Sequence, residues 1–184
     1  MDIIFLAPTF KERIWGGQAL KSFGYQLPYL NTGECWAISA HKNGESIIKN
    51  GPYQGKPLSE IYQKERALFG NIKYDVFPLL IKILDAQDDL SVQVHPDDAY
   101  AKSVEHDLGK TECWYVLDAE SDAHIIYGHR AQTKEAFKEM IQEGKWDDLL
   151  IKKHVKKGDH FIITAQTKEV TWEGSLELIM STTH

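Results

Sequence analysis

What this sequence lacks is the first guide to it. No apolar run approaches the ~20 residues that a membrane-spanning helix needs, so no membrane protein is indicated. Basic charge is in short supply: 21 Lys and Arg against 27 Asp and Glu leave a formal net charge of -6. A sequence-independent nucleic-acid binder needs a clustered basic surface to displace counterions from phosphates, and this balance argues against one. A small anion such as a sugar phosphate is not excluded, because a pocket can be locally basic. Cysteine is scarce too. Cys35 and Cys113 lie in apolar, strand-like runs with no Cys or His at zinc-finger spacing, so both read as buried reduced thiols. There is no internal repeat, low-complexity tract or flexible linker, and a chain of 184 residues suits one domain. Met1 to Pro8 reaches its proline before a signal-peptide hydrophobic region can form, which leads us to expect a cytoplasmic protein.

What is present reads as mainly β. Short strand-like runs separated by turn residues fall at Trp36 to Ser39, Ser46 to Lys49, Pro78 to Asp85, Leu90 to His95 and Glu112 to Leu117. Others follow at Ala123 to Tyr127, Lys152 to Val155, Phe161 to Thr164 and Ser175 to Met180. This pattern predicts a barrel or sandwich rather than a parallel α/β sheet. Val155 to His160 is expected to form a hairpin loop with Gly158 at positive φ, and Glu173-Gly174 a tight turn. Two helices interrupt the strands. One spans Leu58 to Leu68 behind Pro57, with Gly70 as its stop; the other starts near Thr133, carries Phe137, Met140 and Ile141, and ends at Gly144. Asp97 to Glu105 adds a further helical turn.

The chemistry concentrates in Leu90-Ser91-Val92-Gln93-Val94-His95-Pro96-Asp97-Asp98. Period-2 alternation puts Val92 and Val94 on one face of a strand and Ser91, Gln93 and His95 on the other. Polar residues sharing an inward face need a common partner, and a divalent metal ion is one: imidazole nitrogen, amide oxygen and carboxylate oxygen all ligate it. The next strand, Gly109-Lys110-Thr111-Glu112-Cys113-Trp114-Tyr115, repeats the logic, with Glu112 as a possible third ligand and Lys110 supplying positive charge beside it. Taken singly, His95 or Glu112 would be an ordinary polar residue of a strand; two facing strands make the ligand reading the better one.

Together these two stretches resemble the signature of the type I phosphomannose isomerases. Three further segments are similar to short bacterial members: Pro8-Thr9-Phe10-Lys11-Glu12-Arg13-Ile14-Trp15-Gly16-Gly17, Gly33-Glu34-Cys35-Trp36-Ala37-Ile38-Ser39, and Phe77 to Ala86. The resemblance runs in order from about residue 5 to about residue 160. It implies a cupin-type jelly-roll β-barrel with two or three short helices. It also implies a metal, usually zinc, on Gln93, His95 and Glu112. Ser91 and Lys110 would line the sugar-phosphate pocket, Lys110 would act as the catalytic cation, and Trp15 would border the substrate. The activity implied is interconversion of mannose 6-phosphate and fructose 6-phosphate. A Lewis-acidic metal beside an ammonium suits that task, because negative charge develops on oxygen as a neighbouring proton leaves.

The resemblance weakens from residue 164. Cupins carry a second motif of glycine, five residues, proline, one residue, glycine, two residues and a histidine, which in the isomerases is another metal ligand. Counted from Gly158, those positions are Thr164, Gln166 and Glu169. Glu169 either substitutes as a ligand or faces solvent. The family also continues beyond the point corresponding to His184, which leaves open a catalytically impaired member that binds a sugar phosphate or a partner. A cupin epimerase or dioxygenase fits less well, because Gln93 and His95 stand where such enzymes carry two histidines.

Overall fold

A computed structural model describes residues 3–88, 90, 93–94, 103–104, 112–163, 168–171 and 175–182. For 93–94, 168–171 and 175–182 it gives the course and pairing of the backbone.

Twelve strands appear among the described residues. β1 (Leu6–Ala7) pairs with β4 (Ile47–Ile48) in a small ribbon. A six-stranded sheet is built from β2 (Thr9–Gly17), β3 (Thr32–Ile38), β5 (Leu79–Ala86), β7 (Glu112–Ala119), β10 (His160–Ile163) and β12 (Ser175–Thr182). A four-stranded sheet runs in the order β6 (Gln93–Val94), β11 (Lys168–Thr171), β8 (His124–His129), β9 (Leu150–His154). Every ladder is antiparallel, and among the described residues the sheets remain open rather than joined in a ring.

The alternation in β7 shows why these sheets face each other. Glu112, Trp114 and Val116 are buried, whereas Cys113 and Leu117 are half-buried and Tyr115 is exposed. Trp114 and Val116 join Leu84, Phe161 and Ile163 of the same sheet in one cluster with Ile125 of β8, so the main core lies between the two sheets. Fully burying an aliphatic side chain of this size contributes about 1.5–3 kcal/mol. The outer face of the six-stranded sheet carries a second cluster, where Leu20, from a 3-10 turn at Ala19–Phe23, covers Cys35, Ile83 and Leu117. On the outer face of the four-stranded sheet, Ile126 and Leu150 pack against Phe137 and Met140 of α2 (Lys134–Gln142) and Leu149 of α3 (Trp146–Leu149).

The second helix forms as expected. Thr133 caps it, its hydroxyl accepting the Ala136 N–H at 3.1 Å, and Gly144 stops it at φ +70°. The first is shorter than its apolar spacing predicts. α1 (Leu58–Lys64) ends at Glu65, and a 3-10 turn takes over at Arg66–Phe69. Arg66 lies over the Tyr62 ring at 4.1 Å and donates to the Tyr74 carbonyl, while Phe69 and Phe77 meet Tyr62 edge-on. Those tertiary contacts override helical continuation.

Two expectations need correction. The Val155 to His160 segment has the expected turn chemistry, with Gly158 at φ +93° and the Asp159 N–H bonded to the Lys156 carbonyl at 3.0 Å. It is not a hairpin: β9 pairs with β8 and β10 with β7, so the loop carries the chain from one sheet to the other. Cys113 is only half-buried, because it points to the outer face; Cys35 is fully buried, and burial pushes its thiol up to about 11. The strands at Thr9–Gly17 and Lys168–Thr171 went unforeseen, since Lys11, Glu12 and Arg13 interrupt the first and the second is a four-residue segment without strong apolar alternation. The helical turn expected at Asp97 to Glu105, apart from 103–104, and the turn at Glu173-Gly174 lie outside the described residues.

Candidate active site

Glu112 opens β7 on its inner face, only 3% exposed, and its Oε2 accepts the Trp114 indole N–H at 2.8 Å. The residues two apart on a strand share a face, so the indole bonds the carboxylate without bending the chain. A buried carboxylate oriented by a hydrogen bond is the kind of ligand that a divalent cation takes, since ligating carboxylates are themselves oriented by hydrogen bonds.

The same construction occurs a second time. Glu34-Cys35-Trp36 on β3 repeats Glu112-Cys113-Trp114 on β7, and Glu34 Oε2 accepts the Trp36 indole N–H at 2.5 Å. Glu34 Oε1 accepts Arg13 Nε at 2.7 Å. Register pairs Glu34 with Leu84 and Trp36 with Lys82, and Leu84 belongs to the inter-sheet core, so Glu34, Trp36 and Lys82 occupy the inner face as well. Burial pushes the Glu34 carboxyl up, but the Lys82 charge, the Trp36 N–H and Arg13 outweigh it and hold the group below its ordinary value. Lys11 adds its ammonium over the Trp36 ring at 4.8 Å and donates to the Asn43 carbonyl.

Trp15, at the end of β2, packs against the inter-sheet core. Its indole rests on Gly33, where a Cβ would come within 2.6 Å of Trp15 Cζ3, so residue 33 has no room for a side chain. Gln93 and Glu169 are placed by their backbones alone: Glu169 pairs with Gln93 on one side and with Tyr127 on the other. Tyr127 packs against the same core, 5.8 Å from the Phe161 ring, and its hydroxyl donates to the Ile162 carbonyl at 3.2 Å, tying one sheet to the other. Ser91, His95, Lys110, Thr164 and Gln166 lie outside the described residues. Among the described residues there is no group of three His, Cys, Asp or Glu side chains able to hold a metal.

The strands of Gln93 and Glu112 belong to different sheets. Sequence reasoning missed Glu34, Arg13, Lys82 and Tyr127. The recurrence of one tripeptide would have flagged Glu34, and alternation with Leu80 and Leu84 would have put Lys82 on the inner face.

Two facing antiparallel sheets with acids and a lysine on their shared inner face make this a cupin-type β-fold. Sequence and structure comparisons narrow the class. Residues 3–121 match the profile of phosphomannose isomerase type I, catalytic domain. Over 176 residues, 95% of this chain, the sequence is 54% identical to mannose-6-phosphate isomerase ManA of Bacillus subtilis. It is 55% identical over the same share to mannose-6-phosphate isomerase of Streptococcus mutans. The crystal structure of mannose 6-phosphate isomerase from Bacillus subtilis superposes with a TM-score of 0.95 at 49% identity, covering 97% of this chain and 58% of that one. The chain therefore belongs to the type I phosphomannose isomerase family, and it spans 56% of the length of each of the two relatives matched by sequence.

Proposed function

We propose that this chain forms a cupin domain that interconverts mannose 6-phosphate and fructose 6-phosphate in the cytoplasm, using a divalent metal, zinc by preference. The observation that carries this reading is Glu112, a carboxylate buried on the inner face and oriented by Trp114. Directly paired positions on neighbouring strands share a face of a sheet. The backbone register sets Gln93, Glu169 and Tyr127 in one row, and Tyr127 packs on the inter-sheet core that Glu112 also borders. Gln93, His95 and Glu112 would hold the metal. Glu169, opposite Gln93, would take the place of the family's second-motif histidine rather than face solvent.

In this reading Gln93, His95, Glu112 and Glu169 would hold a divalent metal, which would supply Lewis-acid polarisation of a sugar carbonyl. Lys110 would add positive charge at the site, Ser91 and Lys110 would receive the phosphate, and Trp15 would wall the sugar. Two carboxylates on the metal, Glu112 and Glu169, cancel more of its charge than one carboxylate with a neutral histidine would. The site is therefore expected to turn over more slowly than one with the histidine.

The test is a coupled assay for fructose 6-phosphate formed from mannose 6-phosphate with zinc added, together with elemental analysis of protein purified without added metal. Near-stoichiometric metal that is lost in His95→Ala, with measurable turnover, supports the proposal. The change of the second-motif histidine to Glu169 favours a second reading, a domain that binds sugar phosphate without catalysis. Saturable binding with no turnover at any zinc level would establish that instead.

A further inference from the structure

On the face of the six-stranded sheet turned away from Glu112 lies another buried acid, Asp85, 1% exposed near the end of β5. Its Oδ2 accepts the Ala19 N–H at 2.6 Å, and the Gln87 side-chain amide reaches Oδ1 at 3.4 Å. Burial raises the carboxyl above its ordinary value, against the lowering effect of the Ala19 and Leu20 N–H groups and of Gln87. A buried charge of this kind is costly, so its hydrogen bonds must fix something.

What they fix is a strap of chain. From Trp15 to Leu20 the backbone passes round the end of β5, starting on the inner face at Trp15 and finishing on the outer face, where Leu20 packs on Cys35. Three ties hold it. The Gln87 N–H bonds the Trp15 carbonyl at 2.8 Å, Gly16 pairs with Ala86, and Asp85 takes Ala19. Gly17 lies so close that a Cβ there would come within 2.8 Å of both Asp85 oxygens. The indole at the strap's inner end is then seated on Gly33.

We propose that Asp85 is a positioning residue that, by anchoring the outer end of this strap, sets the Trp15 indole in the space between the sheets and so shapes the wall of the sugar-phosphate site. The second half of the statement rests on the function proposed above; the first does not. If Asp85 acts through Trp15, its removal must move Trp15 and must cost nothing once the indole is gone.

The experiment uses the full chain labelled with 5-fluorotryptophan, which gives one fluorine resonance for each of the 5 tryptophans. Loss of a line in Trp15→Phe assigns Trp15. Asp85→Ala should shift that line and leave the Trp114 line in place, and Asp85→Asn, which keeps an oxygen acceptor, should restore it. Ala19→Pro removes the donated N–H without touching the acid, and should move the same line if Asp85→Ala does not fold. Calorimetric titration with fructose 6-phosphate should show about a tenfold weaker affinity in Asp85→Ala, the effect of one ordinary contact. No further loss is expected when Asp85→Ala is combined with Trp15→Phe. An unmoved Trp15 line in both Asp85→Ala and Ala19→Pro overturns the proposal, as does an equal loss of affinity with and without the indole. A Trp15 line that moves in Asp85→Ala, when the wild-type chain takes up no fructose 6-phosphate, upholds the positioning of Trp15 and sinks the sugar-phosphate reading instead.

Discussion

Strands β3 and β7 carry the same three residues in the same geometry, and their surroundings separate them. In β3 the carboxylate of Glu34 shares its oxygens between the Trp36 indole and Arg13, with Lys82 close enough to hold it ionised. In β7 the carboxylate of Glu112 takes the Trp114 indole, and its register neighbours are Ile163, which is fully buried, and Ser181. One acid comes with cations of the protein's own. The other is 3% exposed, where the low local dielectric strengthens the pull on any cation bound to it. A shared motif thus builds a structural ion pair at one end of a sheet and, in the function proposed here, a metal ligand at the other.

The sharpest way to break this contrast is to remove each acid in turn. Glu112→Ala is expected to lower metal affinity by more than ~100-fold, since even partners that merely orient a ligand are worth 10–100-fold. Glu34→Ala should leave metal content unchanged, as read by elemental analysis of both variants. Equal metal loss from the two would erase the distinction. On stability the order reverses. Glu34→Ala leaves Arg13 and Lys82 without their acid and should cost about 2 kcal/mol in urea unfolding, a buried-pair loss discounted because the Arg13 side chain is 41% exposed.

Smaller effects sharpen the comparison. Trp36→Phe and Trp114→Phe each delete one indole hydrogen bond to a carboxylate and should cost about 1.5 kcal/mol. Of the two, Trp114→Phe alone is expected to weaken the metal, by roughly tenfold in a competition titration against a chelator. The smallest effect is on pH dependence. The folded state binds a proton on Glu34 less readily than the unfolded chain does, so this carboxylate contributes stability above its unfolded value of about 4.3 and loses it as pH falls further. Glu34→Gln should flatten the acid limb of a plot of unfolding free energy against pH below that point. An unchanged limb would show that Arg13 and Lys82 do not govern the group.

Much of the fold was legible because strands with one buried face show themselves as alternation, and β7 and β10 alternate plainly. Capping was equally legible at Thr133, where a hydroxyl precedes an apolar face. The assignment of strands to sheets was not. The turn chemistry of Lys156 to Asp159 is the same whether the chain doubles back or crosses over, and only pairing with β7 decides it. The candidate site was half legible: Glu112 stood out through its neighbours, while Glu34 and Arg13 looked like ordinary strand charges. Their pairing joins positions 21 residues apart, which no local period encodes. Asp85 was legible only as a strand end, because its partners belong to a turn far back in the sequence.

Strand β12 lies between β5 and β7 and bonds to both along most of its length. Those two neighbours are made long before it, so during synthesis each leaves the ribosome with a bare edge that cannot be satisfied until residues 175–182 arrive. Assembly is therefore a late, long-range event, of the kind that folds slowly and exposes sticky intermediates to chaperones.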